Sequence, residues 1–256
     1  MIDTHCHLEF KQFDGDREEV IEKSKERLKA IVDSAAGMDK AKEVLMLHRN
    51  HKNFIFPSLG IHPKRVLKAS DGELEDYMSL IRRRMNEVVA VGEVGLDHAQ
   101  VKDPRDRKRC KKVFADFIKL SNDLGVPVVV HARRAMDETL RILKRHNEGD
   151  AIIHCFAGNI KHLKEALEQG YYISLGGMVF RQKKKYEQLI DALPLENLLL
   201  ETDAPFLAKK KSHRSEPWFI WNVAERIAEV KGGDFRKVWR KAGENAVKVF
   251  GLPIDI

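Results

Sequence analysis

Three cysteines in 256 residues, Cys6, Cys110 and Cys155, are too few and too far apart for a disulfide framework, and none belongs to a CxxC pair. They are expected to be reduced and structural. Apolar runs are equally scarce: nothing approaches the roughly 18 consecutive apolar residues that span a bilayer, so no membrane segment is expected. The start, Met1-Ile2-Asp3-Thr4-His5, leaves no room for a charged leader followed by an apolar stretch. A cytoplasmic protein is the expectation. Internal repeats, low-complexity tracts and linkers are also missing, so residues 1–256 read as one domain, of the length usual for an eight-unit α/β barrel.

The composition is that of a soluble globular chain, with 43% hydrophobic and 33% charged residues. Lysine and arginine number 46 against 39 acids, a net charge of +7 that favours polyanionic partners without requiring them. Basic clusters stand at Arg82-Arg83-Arg84, Lys183-Lys184-Lys185 and Lys209-Lys210-Lys211. The first two read as solvated surface. The third follows a candidate ligand strand and reads either way, as solvated loop or as a phosphate contact.

Short β-branched runs alternate with longer helical patterns. Strands are expected near Ile2–His5, Ala30–Ser34, Ile55–Leu59, Val88–Glu93, Pro127–His131, Ala151–His154, Tyr171–Leu175 and Asn197–Glu201. Val128-Val129-Val130 and Leu198-Leu199-Leu200 are apolar throughout, as in strands covered on both faces. Eight such units predict parallel strands closed into a TIM-like (β/α)8 barrel. Two further helices, from Pro217 through Val230 and Phe235 through Phe250, are expected to close it, separated by the break and N-cap of Gly232-Gly233-Asp234.

Within Asp3-Thr4-His5-Cys6-His7, strand alternation puts His5 and His7 on one face and Thr4 and Cys6 on the other, so two imidazoles can converge on one ion. Alone, an HxH pair is weak evidence. Further candidates fall at other strand ends: Glu93, His131, His154 and Asp203. In a barrel those ends meet around one mouth, where barrel enzymes place their active sites. Four His and two carboxylates exceed what one catalytic ion uses, which suggests two ions with Glu93 as the bridge. Such donors suit Zn, Mn, Mg, Co or Ni. Gly92 and Gly95 would let backbone or substrate approach closely.

These segments resemble the TatD family of metal-dependent hydrolases, within the amidohydrolase superfamily. The resemblance spans essentially the whole chain, through Asp3-Thr4-His5-Cys6-His7, Gly60-Ile61-His62-Pro63, Gly92-Glu93-Val94-Gly95-Leu96-Asp97, Val130-His131-Ala132-Arg133, His154-Cys155-Phe156-Ala157-Gly158, Glu201-Thr202-Asp203-Ala204-Pro205 and Glu244-Asn245-Ala246. It implies that His5, His7, Glu93 and Asp203 hold one ion, and Glu93, His131 and His154 the second. It also implies phosphodiesterase activity on DNA, commonly exonucleolytic from the 3′ end, by hydroxide generated on the metals. Asp203 would then be ligand and base together.

Around these six, Arg133 could clamp a phosphate or pair with a neighbouring helix. Glu201 is expected to orient a ligand histidine or to form a plain buried pair. His62, beside Lys64 and Arg65, is a candidate substrate contact at the mouth. The sequence departs from the family pattern at His98, Cys110, Ala157 and Ser215. Single-stranded DNA or a 3′ end is the expected partner. Alternatives are a D-aminoacyl-tRNA deacylase, a small-molecule amidohydrolase, or a nucleic-acid-binding protein without turnover. Oligomeric state is not legible.

Overall fold

The computed structural model describes residues 1–209 and 213–256, so Lys210 and Lys211 of the third basic cluster lie outside the described residues. Eight parallel strands form one sheet in sequence order: β1 Ile2–Cys6, β2 Ala30–Ala35, β3 Ile55–Leu59, β4 Ala90–Asp97, β5 Val128–Arg133, β6 Ala151–Ile153, β7 Tyr172–Leu175 and β8 Leu198–Leu200. Helices alternate with them: α1 Arg17–Lys25, α2 Met38–Asn50, α3 Pro63–Val66, α4 Asp71–Arg83, α5 Pro104–Leu124, α6 Met136–His146, α7 Ile160–Glu168 and α8 Lys183–Ala192. The result is a TIM-like (β/α)8 barrel, nearly closed.

Two apolar populations hold it together. Ile2, Val32, Phe56, Val129, Tyr172 and Leu199, drawn from alternate positions of the strands, pack against one another. Their sequence neighbours Ile31, Ile55, Val128, Ile173, Leu198 and Leu200 join a larger core that includes the surrounding helices. Burial on both faces explains the apolar runs, and each fully buried Val, Ile or Leu contributes about 1.5–3 kcal/mol.

Two C-terminal helices follow, α9 Ile220–Lys231 and α10 Phe235–Phe250. Gly232 ends α9 in the left-handed region at φ 56°, and Asp234 caps α10 by accepting from the Arg236 amide. Ala246, Val249 and Phe250 of α10, with Leu252, belong to the same cluster as the inward strand residues, so this helix stops the barrel floor. Asn245 fixes it there by donating from Nδ2 to the carbonyls of Leu195 and Leu198.

The seam between β8 and β1 is stitched above β8 by the segment that follows it. The Asp203 amide donates to the His5 carbonyl at 2.9 Å, and the His7 amide to the Ala204 carbonyl at 2.7 Å.

Strand alternation fails at two places. Asp3 to Cys6 faces Ile31 to Asp33, and Val91 to Val94 faces Val128 to Val130, so β1 and β4 each carry one residue more than the neighbour. Such bulges re-aim side chains. The expectation that Thr4 shares a face with Cys6, away from His5, is therefore corrected. The Thr4 hydroxyl reaches Ser174 of β7 and the Leu200 carbonyl, on the same inner side as His5, while only Cys6 turns into the outer core.

Candidate metal centre

At the C-terminal mouth the six expected donors meet. His5 Nε2 and His7 Nε2 lie 3.3 Å apart. Glu93 Oε2 is 4.0 Å from each, and Asp203 Oδ1 is 3.9 Å from His5 and 3.5 Å from His7. The other Glu93 oxygen, Oε1, faces His131 Nδ1 at 2.5 Å and His154 Nε2 at 3.0 Å. One carboxylate thus looks into two separate imidazole pairs.

Glu93 reaches this position through the β4 bulge. Ala90 faces inward, so strict alternation would send residue 93 outward; the extra residue reverses it. Glycines make room for that path. A Cβ on Gly92 would lie 2.5 Å from the Val129 Cβ, and one on Gly95, at φ 143°, would overlap the His131 carbonyl oxygen.

The far nitrogens of the rings are held from behind. His7 Nδ1 contacts the Ser34 carbonyl at 2.6 Å, and since a carbonyl only accepts, Nδ1 carries the proton. Its Nε2 lone pair is then free to face a cation. His5 Nδ1 meets the Ser34 hydroxyl at 3.2 Å, and His154 Nδ1 meets Glu201 Oε2 at 3.3 Å. Glu201 is wholly buried, and among the described residues its ion-pair partner is His154.

The electrostatics fit a cation. No Lys or Arg among the described residues pairs with Glu93 or Asp203; histidines are their ion-pair partners. Burial opposes charge on Glu93, yet His131 and His154 hold its carboxyl well below the usual range. Burial likewise opposes charge on His154 and His7, but Glu201 and Glu93 raise the first, and Asp203 and Glu9 the second, well above an ordinary imidazole. His131 is raised too, against burial, by Glu93 and Asp97. Burial, with His154 and His7 nearby, pushes His5 well below the usual value. Protons on imidazoles therefore balance the carboxylates here, in the place divalent ions would occupy. The same side chains offer four donor triads: His5, His7 and Glu93; His5, His154 and Asp203; Glu93, His131 and His154; and His62, Asp97 and His131. Neither Cys6 nor Cys155 joins one among the described residues.

These features match a known family. The model described as TatD related DNase matches residues 2–251. The chain belongs to the TatD family. It is accordingly a metal-dependent hydrolase. Among its TatD relatives, the uncharacterized metal-dependent hydrolase YabD of Bacillus subtilis is 34% identical over 98% of this chain and 99% of its own. Human deoxyribonuclease TATDN3 is 32% identical over 98% of this chain and 94% of its own. The crystal structure of the TatD homologue YjjV from Escherichia coli superposes with a TM-score of 0.91 at 30% identity, covering 99% and 98% of the two chains.

Of the expected substrate contacts, Arg133 points outward with its side chain 58% exposed and Nη1 3.9 Å from Asp97. His62 sits with its ring edge-on to His131, 4.6 Å between centroids, and burial brings its pKa down to about 4. Arg65 pairs with Asp39, and Arg82 and Arg84 pair with Asp123 and Glu87, as solvated surface does.

The sequence reading missed four features of the TatD site. Asp97 is buried at the end of β4, close to His131 Nε2 at 3.3 Å. Its place two residues beyond Gly95 and four beyond Glu93 was the available signal. Ser34, which backs both His5 and His7, and Glu9, 3.7 Å from His7 Nδ1, carried none. The fourth is an aromatic rim: Phe10 stacks on His7 at 4.8 Å and meets Phe206 edge-on at 5.6 Å, with Phe206 42% exposed three residues beyond Asp203.

Proposed function

We propose that residues 1–256 act as one barrel domain whose dinuclear metal centre hydrolyses phosphodiester bonds of DNA, working from the 3′ end of a single strand. The observation that carries this reading is Glu93, whose two oxygens each face a different imidazole pair. His5, His7, Glu93 and Asp203 would hold one ion, and Glu93, His131 and His154 the other. Zn, Mn, Mg, Co or Ni all suit these donors. Bound there, two divalent ions acidify water toward neutral pH and offset charge developing on the phosphoryl oxygens.

The protein's own groups divide the remaining work. Asp203 has an 18% exposed side chain, against 5% for Glu93 and none for Glu201, so it is the carboxylate placed to take a proton from an incoming water. Glu201 keeps the proton of His154 on Nδ1 and so aims Nε2 at the centre. Arg133 and His62 stand where a phosphate would enter. Phe206 offers an exposed face on which a terminal base can stack without regard to its identity. The name of the human relative, a deoxyribonuclease, supports DNA as the substrate.

The test is metal-reconstituted protein assayed on 3′-labelled single-stranded DNA beside D-aminoacyl-tRNA, with Glu93→Ala as control. Stepwise release of 3′ nucleotides, lost in the control, is the expected result. Deacylation without DNA cleavage, or cleavage that persists at wild-type level in the control, would overturn it.

A further inference from the structure

A cavity of about 590 Å³ lies beside the mouth, lined by residues from the end of β5, from the loops after β4, β5 and β6 and the helices that follow them, and by Lys185 of α8. Glu93 and His131 belong to β4 and β5 and His154 follows β6, so the cavity lies at the rim beside the half of the centre that His131 and His154 form, although none of the six donors lines it. Ala132 lines it between His131 and Arg133, and Ala157 lines it three residues beyond His154.

Its charge is unequally matched. Arg107, Lys111, Arg134, Arg141 and Lys185 face it, against Asp137 and Glu138. Glu138 is already answered by Lys111 at 2.9 Å and His98 at 3.2 Å, and Asp137 by His162 at 3.1 Å. Lys185 donates to the Ala157 carbonyl at 2.6 Å and pairs with no carboxylate among the described residues. Among the described residues neither Arg134 nor Arg141 has a carboxylate within ion-pair distance, and both are exposed. Arg107, Arg134, Arg141 and Lys185 therefore face one cavity with no carboxylate in ion-pair distance among the described residues. The lining contains no Phe, Tyr or Trp, so it has charge to offer a backbone and no ring to offer a base.

We infer that this cavity holds the sugar-phosphate backbone of the polynucleotide leading away from the bond being cut, with Arg134, Arg141 and Lys185 on its phosphates. The inference rests on the phosphodiesterase reading above and adds the path of the chain. The 3′-terminal nucleotide sits toward Phe206, on the β8 and β1 side, and the strand leaves across the centre over β5 and β6. Because the lining reads charge and not base edges, affinity there grows with chain length and ignores sequence.

The test compares wild type with the double variant Arg134→Asn, Arg141→Gln, both loaded with the same metal, on an oligothymidylate series from dinucleotide upward. Asn suits residue 134, whose φ is 55°. Wild-type KM should fall with length and then level off. In the variant the long substrates should lose about tenfold in KM, and the salt slope of log affinity should shrink by roughly 1.4, or 0.7 for each phosphate left without its cation. The dinucleotide KM and kcat should hold. A length dependence unchanged in the variant, or absent from wild type, overturns the inference and leaves the phosphodiesterase reading standing. Wild-type protein that cuts no oligonucleotide sinks both.

Discussion

Replacing Glu93 by Gln keeps the volume at the centre and removes only its charge and one of its two acceptor oxygens. The proposed bridge would be lost, because an amide presents a single oxygen and sets an NH2 against the other imidazole pair. Metal content should fall from two equivalents per chain to one at most. Turnover should drop at least about 100-fold, the upper end of the loss seen when merely outer partners of a metal ligand are removed. The metal-free protein should suffer too. Glu93, with Asp97, raises the pKa of His131 and is second to Glu201 in raising that of His154, and breaking a buried charge pair costs about 3–5 kcal/mol while the partner stays protonated. At pH 6 a loss near 3 kcal/mol corresponds to roughly 6–12 °C in melting temperature for a chain of this size. Elemental analysis after dialysis, oligonucleotide turnover and thermal melts in chelator measure the three quantities. Two tightly held equivalents with wild-type turnover in the variant would refute the bridging role.

Other outcomes follow from neighbouring contacts. Glu201→Gln, which weakens the hold on His154 Nδ1 without touching the centre, should cost 10–100-fold in metal affinity, read by competition with a chromophoric chelator, while saturating metal restores most activity. Phe206→Ala should raise KM for single strands with little effect on kcat, by the about 1–3 kcal/mol that stacking one base supplies. The raised pKa values of His7 and His154 set a pH dependence for the metal-free protein. A folded-state pKa above the unfolded value of 6.5 stabilises fully below that value and stops doing so as pH rises through the folded one, so melting temperature in chelator should decline above neutrality. Metal uptake should correspondingly release protons, seen as a buffer-dependent heat of binding.

The strand count and the meeting of the six candidate donors at one mouth were legible because they obey simple periodicities. Apolar runs such as Val128–Val130 mark strands buried on both sides, and His131 ends one of them. What was hidden depends on departures from those periodicities. Alternation along β1 wrongly set Thr4 apart from His5, and alternation along β4 would have sent Glu93 outward. In both, one extra residue against the neighbouring strand decides the outcome, and no single residue type announces it. Asp97 was concealed by ending β4 too early, at Glu93. Ser34 and Glu9 act through long-range contacts, which a local reading does not see. The cavity beside β5 and β6 is assembled from loops about 30 residues apart, and only the fold gathers its cations.

The amide of Asp203 and the amide of His7 are the stitches that keep the last strand against the first. Each belongs to a proposed donor of the metal centre. On the proposed ligation, loading the pocket and zipping the cylinder are one event: a cation gripped by His5, His7 and Asp203 would clamp β1 to the segment after β8, and emptying the pocket would leave that join to its hydrogen bonds and packing. The amide protons at these two positions would exchange slowly in the loaded enzyme and quickly in the stripped one, turning the barrel's own joint into a gauge of its cargo.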